Sequence, residues 1–234
     1  MRVTLDHIED IASGIKTFWF TPERPLRYEA GQFIELTLHH DDADDRGFKR
    51  WFTVSSSPTD QLLSITTKLA AKPSSFKKHL FKLQPGTELI MSEAMGDFVL
   101  PKDKKVPLVY VAGGIGVTPM HSMIKWLYDR GEHRTTHLIY AARNDTEIAF
   151  KPLFDTAVIS VDYILTETSS SSDGKQSQLT SNDIYAASLK YDNPYIYLSG
   201  PEEMVEVFVA ELKERGIKAS RLVTDYFPGY AGAI

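Results

Sequence analysis

The run Ala112-Gly113-Gly114-Ile115-Gly116-Val117-Thr118-Pro119 sets three glycines and then a proline between an apolar stretch and a stretch with helical spacing. Glycine lets a backbone come close to a pyrophosphate, and the start of the following helix offers free N–H groups and a positive dipole end. Proline suits that first turn because its missing N–H has no partner there anyway. The same spacing also serves a turn needed only for tight strand-to-helix packing, so the motif gains force from its neighbours.

Four other pieces have residue types suited to a flat, phosphate-bearing ligand. Arg50-Trp51-Phe52-Thr53 reads as a strand; alternation sends Arg50 and Phe52 to one side and Trp51 and Thr53 to the other. An arginine beside aromatics can pair a phosphate while a ring lies on a planar group, although β propensity alone accounts for the aromatics. Lys72-Pro73-Ser74-Ser75-Phe76-Lys77-Lys78 leads into a helix, with Ser74 or Ser75 as its N-cap. Leu198-Ser199-Gly200-Pro201-Glu202 lies where a strand ends and a helix opens. In an open parallel sheet, that edge borders the ligand crevice. Tyr226-Phe227-Pro228-Gly229-Tyr230 forms an aromatic C-terminal segment, suited to packing on a core or on a ligand.

Two kinds of rhythm must position these pieces. Up to about residue 100, short runs such as Thr17–Phe20, Phe33–Leu38, Trp51–Val54, Leu63–Thr67 and Glu88–Met91 are separated by turns including Ala30-Gly31, Ser57-Pro58 and Pro85-Gly86. Period-two alternation between turns predicts an antiparallel barrel or sandwich. From about Lys104, apolar runs at Val106–Ala112, His137–Ala141, Val158–Leu165 and Tyr195–Leu198 alternate with helical spacing at Met120–Tyr128 and Glu202–Arg215. Strands alternating with helices predict a doubly wound parallel sheet. Expected domains are therefore 1–103 and 104–234. The Ser169–Gly174 stretch reads as a flexible loop without chemistry.

With 234 residues and 42% hydrophobic content, the chain can bury a substantial core. A net charge of -5 without a basic stripe argues against nucleic acid as a partner. There is no cysteine, which excludes disulfides, thiolate metal sites and cysteine-ligated iron–sulfur clusters on these residues. The acidic run Asp41-Asp42-Ala43-Asp44-Asp45 reads as a solvated loop. Neither a signal-type N-terminus nor a membrane-length apolar stretch is present, so a soluble cytoplasmic monomer is the expectation.

In this order the five pieces resemble the ferredoxin–NADP(+) reductase superfamily, over nearly the whole chain. Its members carry an Arg-x-Tyr-Ser/Thr strand, a phosphate turn, a Gly-Gly-x-Gly-x-x-Pro loop, a Cys-Gly-Pro turn and an aromatic C-terminal segment. Gln32-Phe33 after Ala30-Gly31 resembles the family's early Gly-Gln-Phe/Tyr strand, and Met95-Gly96-Asp97-Phe98 its Gly-x-Phe turn closing the barrel. The resemblance implies a Greek-key, FAD-binding β-barrel followed by an NAD(P)-binding α/β domain. It implies that Arg50 pairs the FAD pyrophosphate, that Phe52, flanked by Trp51, packs on the isoalloxazine, and that Thr53 hydrogen-bonds near N5. Thr66, Thr67, Lys68 and Leu69 would line the flavin's phosphate and adenosine side, and Ser74, Ser75 and Phe76 would form the phosphate turn. Gly114, Gly116, Val117, Thr118 and Pro119 would hold the nicotinamide nucleotide. Ser199, Gly200 and Pro201 would lie near the nicotinamide, with Tyr226 or Phe227 covering the other flavin face. Thr53, Ser199, Tyr226 and Phe227 are thus the implied catalytic set, and no metal is implied.

Three positions depart from the family pattern: Phe52 replaces tyrosine, Ser199 stands where many members have cysteine, and the phosphate turn has Pro73 and no glycine. Arg143 after the second α/β strand suits the 2′-phosphate of NADP, while nearby Asp145 keeps NAD open. The expected activity is hydride transfer between NAD(P)H and FAD. Electrons would then pass to a separate acceptor: ferredoxin, flavodoxin, an oxygenase component or a small molecule. The alternatives are a flavin-binding redox sensor or interaction module without turnover, and a flavin-free enzyme using the nucleotide alone.

Overall fold

A computed structural model describes residues 1–167 and 178–227. The Ser169–Gly174 stretch and Pro228–Tyr230 lie outside the described residues, as does the side chain of Phe227. Two sheets are built from the two rhythms of the sequence.

The first sheet is antiparallel and contains β1 (Arg2–Ala12), β2 (Ile15–Pro22), β3 (Phe33–Thr37), β4 (Lys49–Thr53), β5 (Leu63–Lys68) and β6 (Glu88–Met91). Its order is β4-β3-β6-β1-β2-β5, and a Val54–Ile65 bridge joins the two edge strands. That bridge curls the sheet toward a closed barrel, which removes exposed edges. Alternating residues fill the interior: Phe18 and Phe20 of β2, Ile34 and Leu36 of β3, and Ile65 of β5 are fully buried. The short helix α1 (Ser75–Leu80) inserts Phe76 and Leu80 into this core. It ends at Leu80, before the Pro85-Gly86 turn.

The second sheet is parallel, ordered β11-β10-β7-β8-β9. Its strands are β7 (Leu108–Gly113), β8 (Thr136–Ala142), β9 (Ser160–Leu165), β10 (Tyr195–Pro201) and β11 (Leu222–Phe227). Every residue of β7 and β8 is buried, as expected for strands covered on both faces. One cover is α2 (Thr118–Asp129) with α3 (Lys151–Thr156), which contribute Met120, Met123, Ile124 and Phe154 to one core. The other is α4 (Ser181–Ser188) with α5 (Glu202–Glu214), which contribute Ile184, Val205, Phe208 and Leu212 to a second. Strand order reverses between β7 and β10, and the crevice at their carboxyl ends is where such sheets bind ligands.

Helix α2 joins the two halves. His121 Nδ1 donates to the Ser55 carbonyl at 2.7 Å and Ser122 Oγ to the Ser56 carbonyl at 2.6 Å. One turn further on, Lys125 Nζ pairs with Asp60 at 3.1 Å, and Thr59 donates to Asp129. Elsewhere on the seam, Tyr197 Oη donates to the Val99 carbonyl at 2.7 Å and Lys68 pairs with Glu147 at 2.6 Å. The hydrophobic core is shared too: Ile15, Ala30 and Phe98 from the first half pack with the α2 side of the parallel sheet.

Candidate functional site

The glycine loop and the Ser-Gly-Pro turn are in direct contact. Residues Gly114–Val117 make one 3-10 turn between β7 and α2, with Pro119 in the first turn of that helix. A Cβ on Gly116 would come within 2.3 Å of the Ser199 carbonyl oxygen, and one on Gly200 within 3.2 Å of the Gly113 backbone. These two glycines are explained by packing between the loop and β10. Gly114 differs: its φ is +53° and no atom lies within 4 Å of the place its Cβ would take. That open backbone, at the positive end of α2, is where an anion can approach. Val117 and Thr118 are buried beneath the loop, and Thr118 Oγ1 donates to the Ile115 carbonyl at 3.0 Å.

Ser199 lies centrally in β10, paired with Ala112 on one side and Asp225 on the other. The residue is fully buried, and its hydroxyl has no hydrogen-bond partner among the described residues. A buried hydroxyl without a partner costs free energy, so this one is explained if a ligand completes it. Gly200 and Pro201 pair in register with Tyr226 and Phe227 of the edge strand β11, and Tyr226 is half exposed.

Asp225 is a residue that the sequence reading passed over. Burial, reinforced by Asp97, holds its carboxyl up at about 6, against the lowering effect of the Tyr226 backbone. The signal was present as an acidic residue inside an apolar strand.

On the barrel side, Arg50, Phe76 and Phe52 form a column. The Arg50 guanidinium lies 5.3 Å from the centroid of the Phe76 ring, and the Phe52 ring 5.9 Å from it on an inclined plane. Phe52 is buried in the barrel core, whereas Trp51 is 65% exposed and tilts against Phe33. Thr53 is buried at the end of β4. Thr66 sits in a chain of hydroxyls in which Thr17, Thr66, Ser55 and Ser64 succeed one another at 2.8–2.9 Å. Thr67 is buried, Lys68 is engaged with Glu147, and Leu69 is partly exposed beside them.

The phosphate-turn residues hold an anion supplied by the chain itself. Ser74 caps α1, its Oγ accepting from the Lys77 amide at 3.2 Å. The Asp44 carboxylate accepts from the Ser75 amide at 2.9 Å and from Arg46 at 2.7 Å, with Arg50 at 3.4 Å. The Arg46 side chain and then the Ser75 amide hold the Asp44 carboxyl far below the usual carboxylate range. Burial, aided by Arg50 and Arg46, lowers the Lys77 ammonium to about 7. The same donors that hold this carboxylate suit a phosphate oxygen. Arg50 also donates to the Arg46, Gly47 and Lys49 carbonyls. It is therefore anchored before any ligand arrives.

Arg143 follows β8 and lies 3.8 Å from Glu167, its side chain partly exposed. The structure thus gathers Gly114, Gly116, Ser199, Gly200 and Pro201 at one sheet edge, and Arg50, Ser74, Ser75 and Phe76 at one corner of the barrel.

Known proteins share this fold. Residues 110–210 match the model of the oxidoreductase NAD-binding domain family. The ferredoxin NADP+ reductase of Neisseria gonorrhoeae, solved with bound FAD and NADP, superposes with a TM-score of 0.80 at 18% identity, covering 97% of this chain and 98% of that one. The chain has the ferredoxin–NADP(+) reductase fold. Among curated relatives, the glycine betaine monooxygenase reductase subunit of Chromohalobacter salexigens is 32% identical over 142 residues, 58% of this chain and 37% of the relative. The flavohemoprotein of Xylella fastidiosa is 27% identical over 229 residues, 91% of this chain and 55% of the relative. The chain thus spans between a third and somewhat over half of these relatives' lengths. No helix among the described residues is long and apolar enough to cross a membrane.

Proposed function

We propose that the chain is a flavin-dependent NAD(P)H oxidoreductase that passes electrons to a separate acceptor. The observation that carries this reading is the buried, unpartnered Ser199 hydroxyl at the crevice where the parallel sheet changes direction. It lies beside the glycine loop, where Gly114 leaves the backbone open.

In this reading residues 1–103 hold FAD and residues 104–234 hold the nicotinamide nucleotide. FAD would supply the hydride-accepting ring; the protein's part is placement and electrostatics. Arg50, Arg46 and the Ser75 amide would hold the pyrophosphate in the place Asp44 now takes. Thr53 and Ser199 would offer hydroxyls to the reacting rings, and Gly114 would admit the nucleotide pyrophosphate to the start of α2. Tyr226, at the exposed edge, shields the reacting face. The hydrogen bonds between α2 and residues 55–60 join the two halves and would set the spacing of the two nucleotides.

Arg143 favours the 2′-phosphate of NADP over NAD, with Glu167 as its resting partner. For the acceptor we favour an oxygenase component, because the monooxygenase reductase subunit is a relative and these residues offer no cysteine to hold a cluster. The test is the absorbance spectrum of the protein after incubation with FAD, followed by anaerobic titration with NADPH and then NADH. Flavin bands that bleach, with NADPH the better reductant, are expected. A protein that takes up neither FAD nor FMN at high micromolar supply overturns the reading. Bands that persist under excess NADPH point to the module without turnover.

A further inference from the structure

The acidic loop between β3 and β4, read from the sequence as a solvated stretch, is instead wired to α1. His40 and Asp42 come from that loop, and His79 from the last turn of the helix. One ligand atom from each of the three lies within 4.8 Å of the other two. Tetrahedral ligands about 2.0–2.1 Å from a zinc ion sit roughly 3.3 Å from one another, so modest side-chain rotation closes the set.

The His40 tautomer favours this, whereas ligation through His79 Nε2 would displace the proton it now donates to Asp42. His40 Nδ1 faces the Leu38 carbonyl at 2.9 Å, and because a carbonyl only accepts, Nδ1 carries the proton. The lone pair of His40 is therefore on Nε2, which receives the Ser75 hydroxyl at 2.9 Å. A ring nitrogen fixed by a backbone carbonyl is the usual outer support of a metal-bound imidazole, and ligation by Nε2 would replace its hydrogen bond from Ser75. His79 Nε2 is 2.5 Å from Asp42 Oδ1, so carboxylate and imidazole already converge. The His40 and His79 rings lie 4.5 Å apart and only 33° from coplanar. Two imidazoles and a carboxylate with an open fourth position suit a late first-row divalent ion better than calcium or magnesium.

The site's location gives it a consequence. Ser75 Oγ, which donates to His40, also accepts the Asp44 amide at 3.0 Å, and the Asp44 carboxylate rests on the Ser75 amide. We propose that His40, Asp42 and His79 form a divalent transition-metal site of zinc type, whose occupation pins the acidic loop with Asp44 on the residues that would hold the flavin phosphate. The metal site stands on geometry alone; only its effect on flavin rests on the reading above.

The test uses the full chain, Zn²⁺ and the variants His79→Asn and His40→Asn. Calorimetry of flavin-free protein should show one Zn²⁺ per chain, lost in both variants while their unfolding temperatures stay close to the parent's. FAD affinity, read from quenching of flavin fluorescence, should fall about tenfold when Zn²⁺ replaces EDTA, and should not respond to Zn²⁺ in His79→Asn. Absence of Zn²⁺ binding, or binding that survives the double variant, overturns the site. Zn²⁺ bound at one equivalent with unchanged FAD affinity overturns the pinning. If FAD fails to bind even in EDTA, the flavin reading fails, and the calorimetric arm still decides the metal site.

Discussion

Gly116 and the Ser199 carbonyl are so close that a single methyl group on the glycine would lie 2.3 Å from the oxygen. The obstacle is backbone on both sides, so neither partner can rotate away. Gly116→Ala should lower stability by about 2–3 kcal/mol through overpacking. Gly114→Ala meets open space and should cost only about 1 kcal/mol for its positive φ. Thermal unfolding of the two variants ranks them; equal losses would mean that contact with β10 does not shape the loop.

Ser199→Ala separates structure from chemistry. Removing a buried hydroxyl without a partner should leave stability unchanged or slightly raised. Flavin reduction by NADPH should nevertheless slow by roughly 10- to 100-fold if the hydroxyl is aimed at the reacting centre. Stopped-flow bleaching alongside a melting curve checks both halves. A destabilised variant would show that the hydroxyl has a structural partner.

Asp225 has a carboxyl raised to about 6 by burial, so the folded state takes up its proton more readily than the unfolded chain does. Stability from this group is therefore lost as pH rises from about 4 to about 6, and the deficit persists above that. Asp225→Asn should gain on the order of 1–2 kcal/mol at pH 7 and nothing near pH 3. The difference between parent and variant in denaturant unfolding, taken pH by pH, isolates it from the other carboxylates.

His121 behaves oppositely. Burial pushes its imidazole down to about 4, against the pull of the Ser55 carbonyl, and its ring stacks on Phe150 at 3.6 Å. The unfolded state binds the proton first, so stability present above about pH 6.5 is lost as pH falls toward 4. His121→Gln keeps an amide donor without a titrating group. Its stability should vary less than the parent's over that window, whatever its value at pH 7. A parallel decline in both proteins would place the acid sensitivity elsewhere.

What the sequence revealed followed the strength of its periodic signals. The buried strands of the parallel sheet stood out because β7 is apolar throughout and β8 is apolar from Leu138 on, and α2 and α5 because their apolar faces repeat with helical spacing. The 11-residue β1 escaped notice: only Val3 and Leu5 are fully buried, and bulges at Leu5/His7 and Asp10/Ala12 break the alternation. Short α3 and α4 show too few turns to register a period. The glycine loop and the Ser-Gly-Pro turn were legible as motifs, but not their contact, which depends on strand order. The Asp44 carboxylate on the Ser75 amide was hidden for the same reason, since 31 residues separate the partners.

The four residues that α2 lays on segment 55–60 make two hydrogen bonds to backbone carbonyls, one ion pair and one hydroxyl-to-carboxylate bond within about two helical turns. A joint of that density resists swinging, so barrel and sheet should melt as one cooperative unit. Admitting and releasing a nucleotide then falls to small local motions at the free margin of the parallel sheet, where Tyr226 already projects into water.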